Sequence, residues 1–259
     1  MEARKGGLWL VPNLIAPGSP DRALAPETLE RVRSIADFVV EGEKAAWRFL
    51  SSVLVKEALA AVRLSVLDEH SPAEDLPGLL APALEGRELG LLSEAGIPCV
   101  ADPGAPLVAL AHDLGIRVQP LAGPSSIILA LAASGLDGQH FSFLGYLPAD
   151  RPGRTKALQA LGKSVLADGS TRIFIETPYR NNHLLEDCLA VLPPSARLCV
   201  ALGISSSEER IVSRTVAAWR AAKPLLPKEP AIFLVGRTPS LHLEKASVAR
   251  NSGKPAPRR

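Results

Sequence analysis

Apolar runs alternate with helical patterns through the first 135 residues of the chain. Five runs are short and almost entirely apolar, as two-sided burial in a parallel sheet requires. Between them, apolar residues recur three and four positions apart, and proline stands at several helix starts. The pattern predicts strands at residues 7–13, 37–42, 62–70, 88–96 and 116–123. Strands that alternate with helices indicate a parallel sheet covered on both faces.

A second pattern of strands and helices begins near residue 140. Residues 145–154 (GYLPADRPGR) hold glycine, two prolines and three charges, which is typical of a connection between domains. Strands are predicted after it at residues 171–178, 197–205 and 229–236, and residues 208–222 predict a strand or hairpin followed by a helix. We therefore expect an N-terminal α/β domain at residues 1–146 and a C-terminal α/β domain at residues 147–240.

Composition places the chain among ordinary globular proteins. Apolar residues make up 47% of its 259 residues, charged residues 22%, and the net charge is +2, which alone indicates no nucleic-acid partner. Residues 241–259 carry five basic side chains and one acidic one, so we expect a basic, disordered tail. No segment approaches the ~20 apolar residues of a membrane span, and no signal peptide opens the chain, so we expect a cytoplasmic protein without a membrane partner.

Polar residues and turn formers collect where the predicted strands end, which is where open parallel sheets bind ligands. Glu41, Glu69 and Glu94 follow three of these strands, and Ser125 and Ser126 follow the fifth strand at the start of a helix. Neither the G-x-x-x-x-G-K-[ST] nor the G-x-G-x-x-G motif is present, which excludes triphosphate and dinucleotide sites of those kinds. Acidic strand ends favour a cationic ligand or one rich in hydroxyl and amino groups, although each carboxylate alone could cap a helix.

Five segments, taken in order and spacing, resemble one family: SEAGIPCVADPGAPLV, PLAGPSS, FSFLGYLPADRPGR, IFIETPYR and PAIFLVG. Over residues 7–236 the chain resembles the tetrapyrrole methylase superfamily of S-adenosylmethionine-dependent methyltransferases. Within it, the branch most similar is the ribosomal RNA small-subunit methyltransferase I type, which methylates a ribose 2′-hydroxyl; we expect a short variant without that branch's C-terminal extension. The resemblance implies a homodimer of two α/β domains, with a mostly parallel sheet in the first, a mixed sheet in the second and the cofactor in the cleft between them.

The resemblance also implies which residues hold S-adenosylmethionine. Glycine and proline at the strand ends let backbone approach a compact cofactor, with the turns fixed in advance. Carried over position by position, the expected cofactor-binding residues are Pro12, Ser93, Glu94, Ala95, Gly96, Pro98, Ser125, Ser126, Thr177, Tyr179, Ala201, Leu202, Pro230 and Ala231.

Methyl transfer from a sulfonium is a displacement at carbon with an activated leaving group, so the enzyme mainly aligns the reactants and no metal is expected. A hydroxyl acceptor would also benefit from a base. Glu176 and Glu94 are the candidate catalytic residues, and Glu176 closes an apolar strand at the expected edge between the two domains. Capping a helix or forming an ion pair with Arg180 is the alternative role for Glu176. The expected substrate-binding residues are Arg180, Glu41 and His70.

The chain departs from the ribosomal branch on the expected substrate side. The segment VEGEKAAWRFL keeps Glu41 but lacks the threonine and arginine of that branch, and LGISSSEER lacks its arginine and lysine. The acceptor is therefore left open between RNA and a small molecule such as a tetrapyrrole. A cofactor-binding protein without catalysis is a third alternative.

Overall fold

Two five-stranded sheets form the framework of the computed structural model, which describes residues 4–222 and 224–238. The first sheet contains β1 (Gly7–Val11), β2 (Asp37–Val40), β3 (Arg63–Val66), β4 (Leu89–Leu92) and β5 (Arg117–Pro120). All of its strand pairs are parallel, and the order is β3-β2-β4-β1-β5. The chain passes from β1 to β2 in one direction across the sheet, whereas it passes from β4 to β5 in the opposite direction. The carboxyl ends of β1 and β4 therefore form the switch point at which such sheets bind ligands.

Helices cover both faces of this sheet because alternate strand residues point to opposite sides. Phe38 and Val40 join one buried cluster with α2 and α3, whereas Val39 joins another with α7. Prolines divide the helical pattern after β3 into short pieces, including a 3-10 turn at Ala73–Asp75. The helices of this part are α1 (Pro20–Ala23), α2 (Pro26–Arg33), α3 (Glu43–Val53), α4 (Lys56–Ala60), α5 (Leu76–Leu79), α6 (Ala81–Leu84) and α7 (Ala105–Asp113).

The second sheet is mixed, with the order β6-β7-β10-β8-β9. Strand β6 pairs with β7 in parallel, whereas the pairs β7–β10, β10–β8 and β8–β9 are antiparallel. One parallel sheet followed by one mixed sheet confirms the predicted fold class. The strands are β6 (Phe141–Tyr146), β7 (Thr171–Glu176), β8 (Ala196–Leu202), β9 (Arg210–Thr215) and β10 (Ala231–Arg237), and the helices are α8 (Ser126–Ser134), α9 (Arg151–Asp168), α10 (Asn181–Val191) and α11 (Val216–Ala222).

Helix α8 connects the two sheets. It follows the last strand of the first sheet, yet Ile127, Ala130 and Leu131 pack against the second sheet. Residues 145–154, predicted as a connection, instead form the end of β6, a turn and the first residues of α9. The domain boundary at residues 146 and 147 stays a prediction, and the predicted basic tail at 241–259 lies outside the described residues.

Charged groups at the amino ends of the first sheet are paired with each other, on the side away from the switch point. The carboxylate of Asp37 accepts hydrogen bonds from Arg63 at 2.7 Å and from Arg87 at 2.8 Å. The Arg63 hydrogen bond, more than any other influence, holds the pKa of Asp37 below its ordinary value. These ion pairs tie three neighbouring strands together and leave the carboxyl ends as the side that is free to bind a ligand. Across the part of the chain that the structure describes, no helix has the length and apolar character needed to span a bilayer.

Candidate functional site

A cavity of about 470 Å³ lies between the two sheets, at the carboxyl ends of their strands. Its first-sheet wall comes from the loops after β1 and β4 and from the start of α8. Its second-sheet wall comes from the ends of β6, β7 and β8 and from the start of β10, because β10 runs antiparallel to β7 and β8. The volume lies in the range of small-molecule sites in proteins, roughly 300–1,000 Å³.

The turn after β4 is held in one conformation by hydrogen bonds. The Ser93 hydroxyl donates to the Gly96 carbonyl at 3.2 Å, and Gly96 has a φ of +75°, which glycine adopts without steric cost. The Asn13 amide donates to the carbonyls of Ser93 and Glu94, each at 3.0 Å. Backbone hydrogen bonds in both directions between Asn13 and Gly96 complete the link. The turn that lines the cavity is therefore fixed to the end of β1 before any ligand binds.

Close backbone approach also shapes the end of β5. A Cβ atom added at Gly123 would overlap the Pro12 ring, so only glycine lets this loop lie against the end of β1. Ser125 then caps α8, with its hydroxyl accepting a hydrogen bond from the Ile128 amide at 3.5 Å. Ser125 and Ser126 both line the cavity, at the helix terminus that carries partial positive charge.

Glu176 ends β7 as a buried carboxylate on the cavity wall. Its Oε1 atom accepts hydrogen bonds from the Thr177 amide at 2.7 Å and from Arg180 Nε at 2.9 Å, and Arg180 Nη2 lies 2.7 Å away. Each hydrogen bond found to this carboxylate in the described structure ends on Oε1. The geometry contains the ion pair with Arg180 that the sequence left as an alternative, and it leaves Oε2 for another contact.

The structure brings eight of the predicted cofactor and catalytic residues to this cavity. They are Ala95, Gly96, Ser125, Ser126, Glu176, Thr177, Pro230 and Ala231. Other predicted residues lie nearby without lining it: Pro12, Ser93, Pro98, Tyr179, Arg180, Ala201 and Leu202. Pro12 and Ser93 instead support the lining loops, and Ala201 and Leu202 are buried in β8 just before Gly203, which does line the cavity.

Three further predicted residues lie away from the cavity wall. Glu94 is exposed and lines a groove of about 330 Å³ together with Arg48. Glu41 accepts a hydrogen bond from the Glu94 amide at 3.2 Å, and burial is the main cause that raises the pKa of Glu41. His70 is exposed beyond β3, an edge strand that β2 and β4 separate from β1. Glu41 thus supports the turn after β4, and His70 is not brought to the site.

The cavity is acidic and apolar. Within the described ranges, its charged lining residues are Glu176 and Glu229, and no lysine, arginine or histidine lines it. Isoleucines from both sheets supply much of the apolar wall, among them Ile15, Ile97 and Ile232. Arg180 pairs with Glu176 from outside the lining, which leaves Glu229 as the carboxylate that favours a cationic ligand with an apolar body over a polyphosphate. The described residues also contain no group of three or more His, Cys, Asp or Glu side chains placed to hold a metal ion.

Sequence reasoning missed several residues that build or line the site. Tyr146 and Ser206 were not predicted, although Tyr146 lies at a strand end, where the same rule that found Ser125 applies. The loop at residues 15–17 lines the cavity and also the groove that contains Glu94. Its apolar composition, Ile-Ala-Pro, gave no chemical signal of a binding role.

Comparison with known proteins agrees with this arrangement. The family profile described as Tetrapyrrole (Corrin/Porphyrin) Methylases matches residues 17–219. The protein of Escherichia coli O157:H7 named Ribosomal RNA small subunit methyltransferase I is 35% identical over 218 residues, which are 83% of this chain and 72% of that protein. The Mesorhizobium japonicum protein of the same name is 33% identical over 244 residues, 93% of this chain and 81% of that protein.

A solved structure shares the fold at lower identity. It is the uroporphyrin-III C-methyl transferase from Thermus thermophilus complexed with S-adenyl homocysteine, with a TM-score of 0.53 at 18% identity, covering 90% of this chain and 98% of that one. That identity supports the fold alone. The family match over most of the chain and the two relatives above 30% identity reach further: the chain belongs to the tetrapyrrole methylase family.

Proposed function

We propose that this protein is an S-adenosylmethionine-dependent methyltransferase that methylates a ribose 2′-hydroxyl of small-subunit ribosomal RNA. One observation carries the proposal: in a chain of the tetrapyrrole methylase family, a cavity whose charged lining residues in the described structure are Glu176 and Glu229 lies between the carboxyl ends of two sheets. The relatives at 33–35% identity are named for ribosomal RNA methylation. The neighbour that contains S-adenyl homocysteine supports the cofactor class.

S-adenosylmethionine fits the cavity by size and charge. It is a net cation, because its sulfonium and ammonium groups together outweigh its one carboxylate. The charged residues of the wall are Glu176, whose charge is paired with Arg180, and Glu229. Backbone at Gly96 and the hydroxyls of Ser125 and Ser126 offer hydrogen bonds to its polar groups. The cofactor supplies an activated methyl group, so the chain's task is to align that group with the acceptor and exclude water.

Two carboxylates could assist the acceptor hydroxyl. Glu176 holds Arg180 through Oε1, and we propose that Oε2 accepts a hydrogen bond from the cofactor or the acceptor. Glu94 lies in the groove beside the loop at residues 15–17, and we propose that the acceptor reaches the methyl group along this groove. Arg48 in the same groove would contact a phosphate of the RNA strand.

Two further features belong to the proposal. Homodimerisation is expected from the family resemblance, and the chain exposes large apolar side chains such as Ile128, Leu129 and Leu144 that a second copy could cover. We place the protein in the cytoplasm because its proposed substrate is the ribosome.

The test is methyl transfer to purified small ribosomal subunits from a strain that lacks the enzyme. Tritiated S-adenosylmethionine should label RNA in fragments that resist alkaline hydrolysis, because a 2′-O-methyl group blocks cleavage of the adjacent phosphodiester. Label confined to small-molecule fractions, or no transfer at all, would contradict the RNA assignment. The variant Ser125→Trp, which fills the cavity, is the matched inactive control.

A further inference from the structure

Both tyrosines of the chain lie at one edge of the second sheet, beside the cavity. Tyr146 ends β6, and Tyr179 follows the end of β7 by three residues. Because β6 and β7 are parallel neighbours, both tyrosines lie at the carboxyl ends of these strands, which is the end of the sheet where the cavity lies. Lys228 reaches the same edge, since it lies three residues before β10, whose first residue pairs with Glu176.

The Tyr179 ring is unusually exposed for an aromatic side chain. It is 79% exposed, and Tyr146 is 59% exposed, whereas tyrosine commonly buries most of its ring. The Lys228 ammonium lies 5.5 Å from the centre of the Tyr179 ring, within the range of a cation–π contact. No salt bridge to a carboxylate is found for Lys228 among the residues with described positions, so its charge is available to an anion. An exposed ring and a cation without a carboxylate partner in the described structure therefore stand side by side, next in sequence to the cavity-lining residues Pro178 and Glu229.

We propose that Tyr179 and Lys228 form a contact site for a single-stranded segment of the RNA substrate, an inference that rests on the proposed function. An aromatic ring stacks on an unpaired base whatever its sequence, and a lysine beside it contacts the adjoining phosphate. Lys228 covers one face of the ring at most, so the other face remains for a base. Glu229 on the cavity wall repels phosphate, which keeps the same strand out of the cofactor pocket itself.

The test compares variants in the transfer assay on small ribosomal subunits. Tyr179→Ala should raise the KM for the subunit at least about fivefold, the lower end of what one stacked base contributes. Tyr179→Phe keeps the ring and should stay within about twofold of wild type. Phe141→Ala is the matched control, because Phe141 is 41% exposed at the opposite end of β6 and should leave the KM unchanged. In each variant, the thermal shift caused by S-adenosylhomocysteine should equal that of wild type, which separates RNA contact from cofactor binding.

Lys228→Gln gives an independent readout. Removing one phosphate contact to a single strand should lower the slope of log affinity against log salt by about 0.7. An unchanged KM in Tyr179→Ala together with an unchanged salt slope in Lys228→Gln would overturn the inference. In that case the activity of the wild-type protein would still support the proposed function. A change in molar mass by light scattering with an unchanged KM would also overturn it, because the ring would then serve contact with a second copy. Wild-type inactivity on small subunits would instead refute the proposed function.

Discussion

Ser125 offers the sharpest test of the cofactor cavity, because two substitutions separate its two roles. Ser125→Ala removes the cap of α8 and the hydroxyl that offers a hydrogen bond to the cofactor, but it leaves the cavity open. Ser125→Trp makes the same losses and also projects an indole ring into the cavity. The lost cap costs about 1 kcal/mol or less, because the hydrogen bond to Ile128 is long at 3.5 Å. Both variants should therefore unfold at most about 2–4 °C below wild type in the absence of ligand.

The ligand-dependent part of the melting temperature differs sharply between the variants. At a cofactor concentration of 100 times Kd, binding stabilises a protein by about 2.7 kcal/mol. For a chain of this size that corresponds to a rise of roughly 5–10 °C. Ser125→Ala should keep about half of this rise or more, because the cavity stays open and one lost hydrogen bond costs about 0.5–1.5 kcal/mol. Ser125→Trp should lose it, because the ring occupies the volume that the cofactor needs.

Differential scanning fluorimetry with S-adenosylhomocysteine measures both effects in one titration. The pattern expected is a small, equal loss of unliganded stability in the two variants and a ligand-induced rise in wild type and Ser125→Ala alone. An undiminished rise in Ser125→Trp would refute the assignment of this cavity to the cofactor. Calorimetric titration of the same three proteins checks that the rise reflects binding.

Three further predictions concern stability. Asp187→Asn should lower the free energy of unfolding in urea by about 3–5 kcal/mol, because the buried Arg154 guanidinium lies 2.7 Å from the Asp187 carboxylate and would lose its charged partner. A loss under about 1 kcal/mol would contradict this role of the ion pair. Burial raises the pKa of the Cys99 thiol to about 11 from 9.0. The stability that comes from burying the neutral thiol is therefore present below pH 9 and is lost as the pH rises toward 11. Cys99→Ala should remove this loss of unfolding free energy from denaturation curves recorded at alkaline pH. The lowered pKa of Asp37 contributes stability that is present above about pH 3.9 and is lost as the pH falls through the folded-state pKa. Asp37→Asn should therefore flatten the acid limb of the plot of unfolding free energy against pH, by about 1 kcal/mol or less because Arg63 is more than half exposed. An unchanged acid limb would contradict the pairing.

Much of the fold follows from local patterns. The strands of the first sheet are apolar because helices cover both faces, and that burial is visible in runs such as LGLL and DFVV. The location of the site followed from one rule, that parallel sheets bind ligands at the carboxyl ends of strands. That rule led to Ala95, Gly96, Ser125 and Ser126, all of which line the cavity.

The parts that could not be predicted depend on contacts distant in sequence. The order of the second sheet places β10, the last strand, between β7 and β8, and no local pattern encodes that insertion. Helix α8 looks like a helix of the first sheet, but its apolar face packs on the second. The helical pattern predicts a solvent-exposed position for the basic residue Arg154, yet Arg154 is buried against Asp187, 33 positions away. Tyr179 resembles a cofactor contact by position, yet its ring lies outside the cavity lining.

The most direct test of the central claim is a crystal structure of this protein grown with S-adenosylhomocysteine. We expect density for the nucleoside between the turn after β4 and the start of β10, with its polar groups near Gly96, Ser125 and the Ala231 backbone. Density at any other place on the molecule, with this cavity left to solvent, would contradict the account.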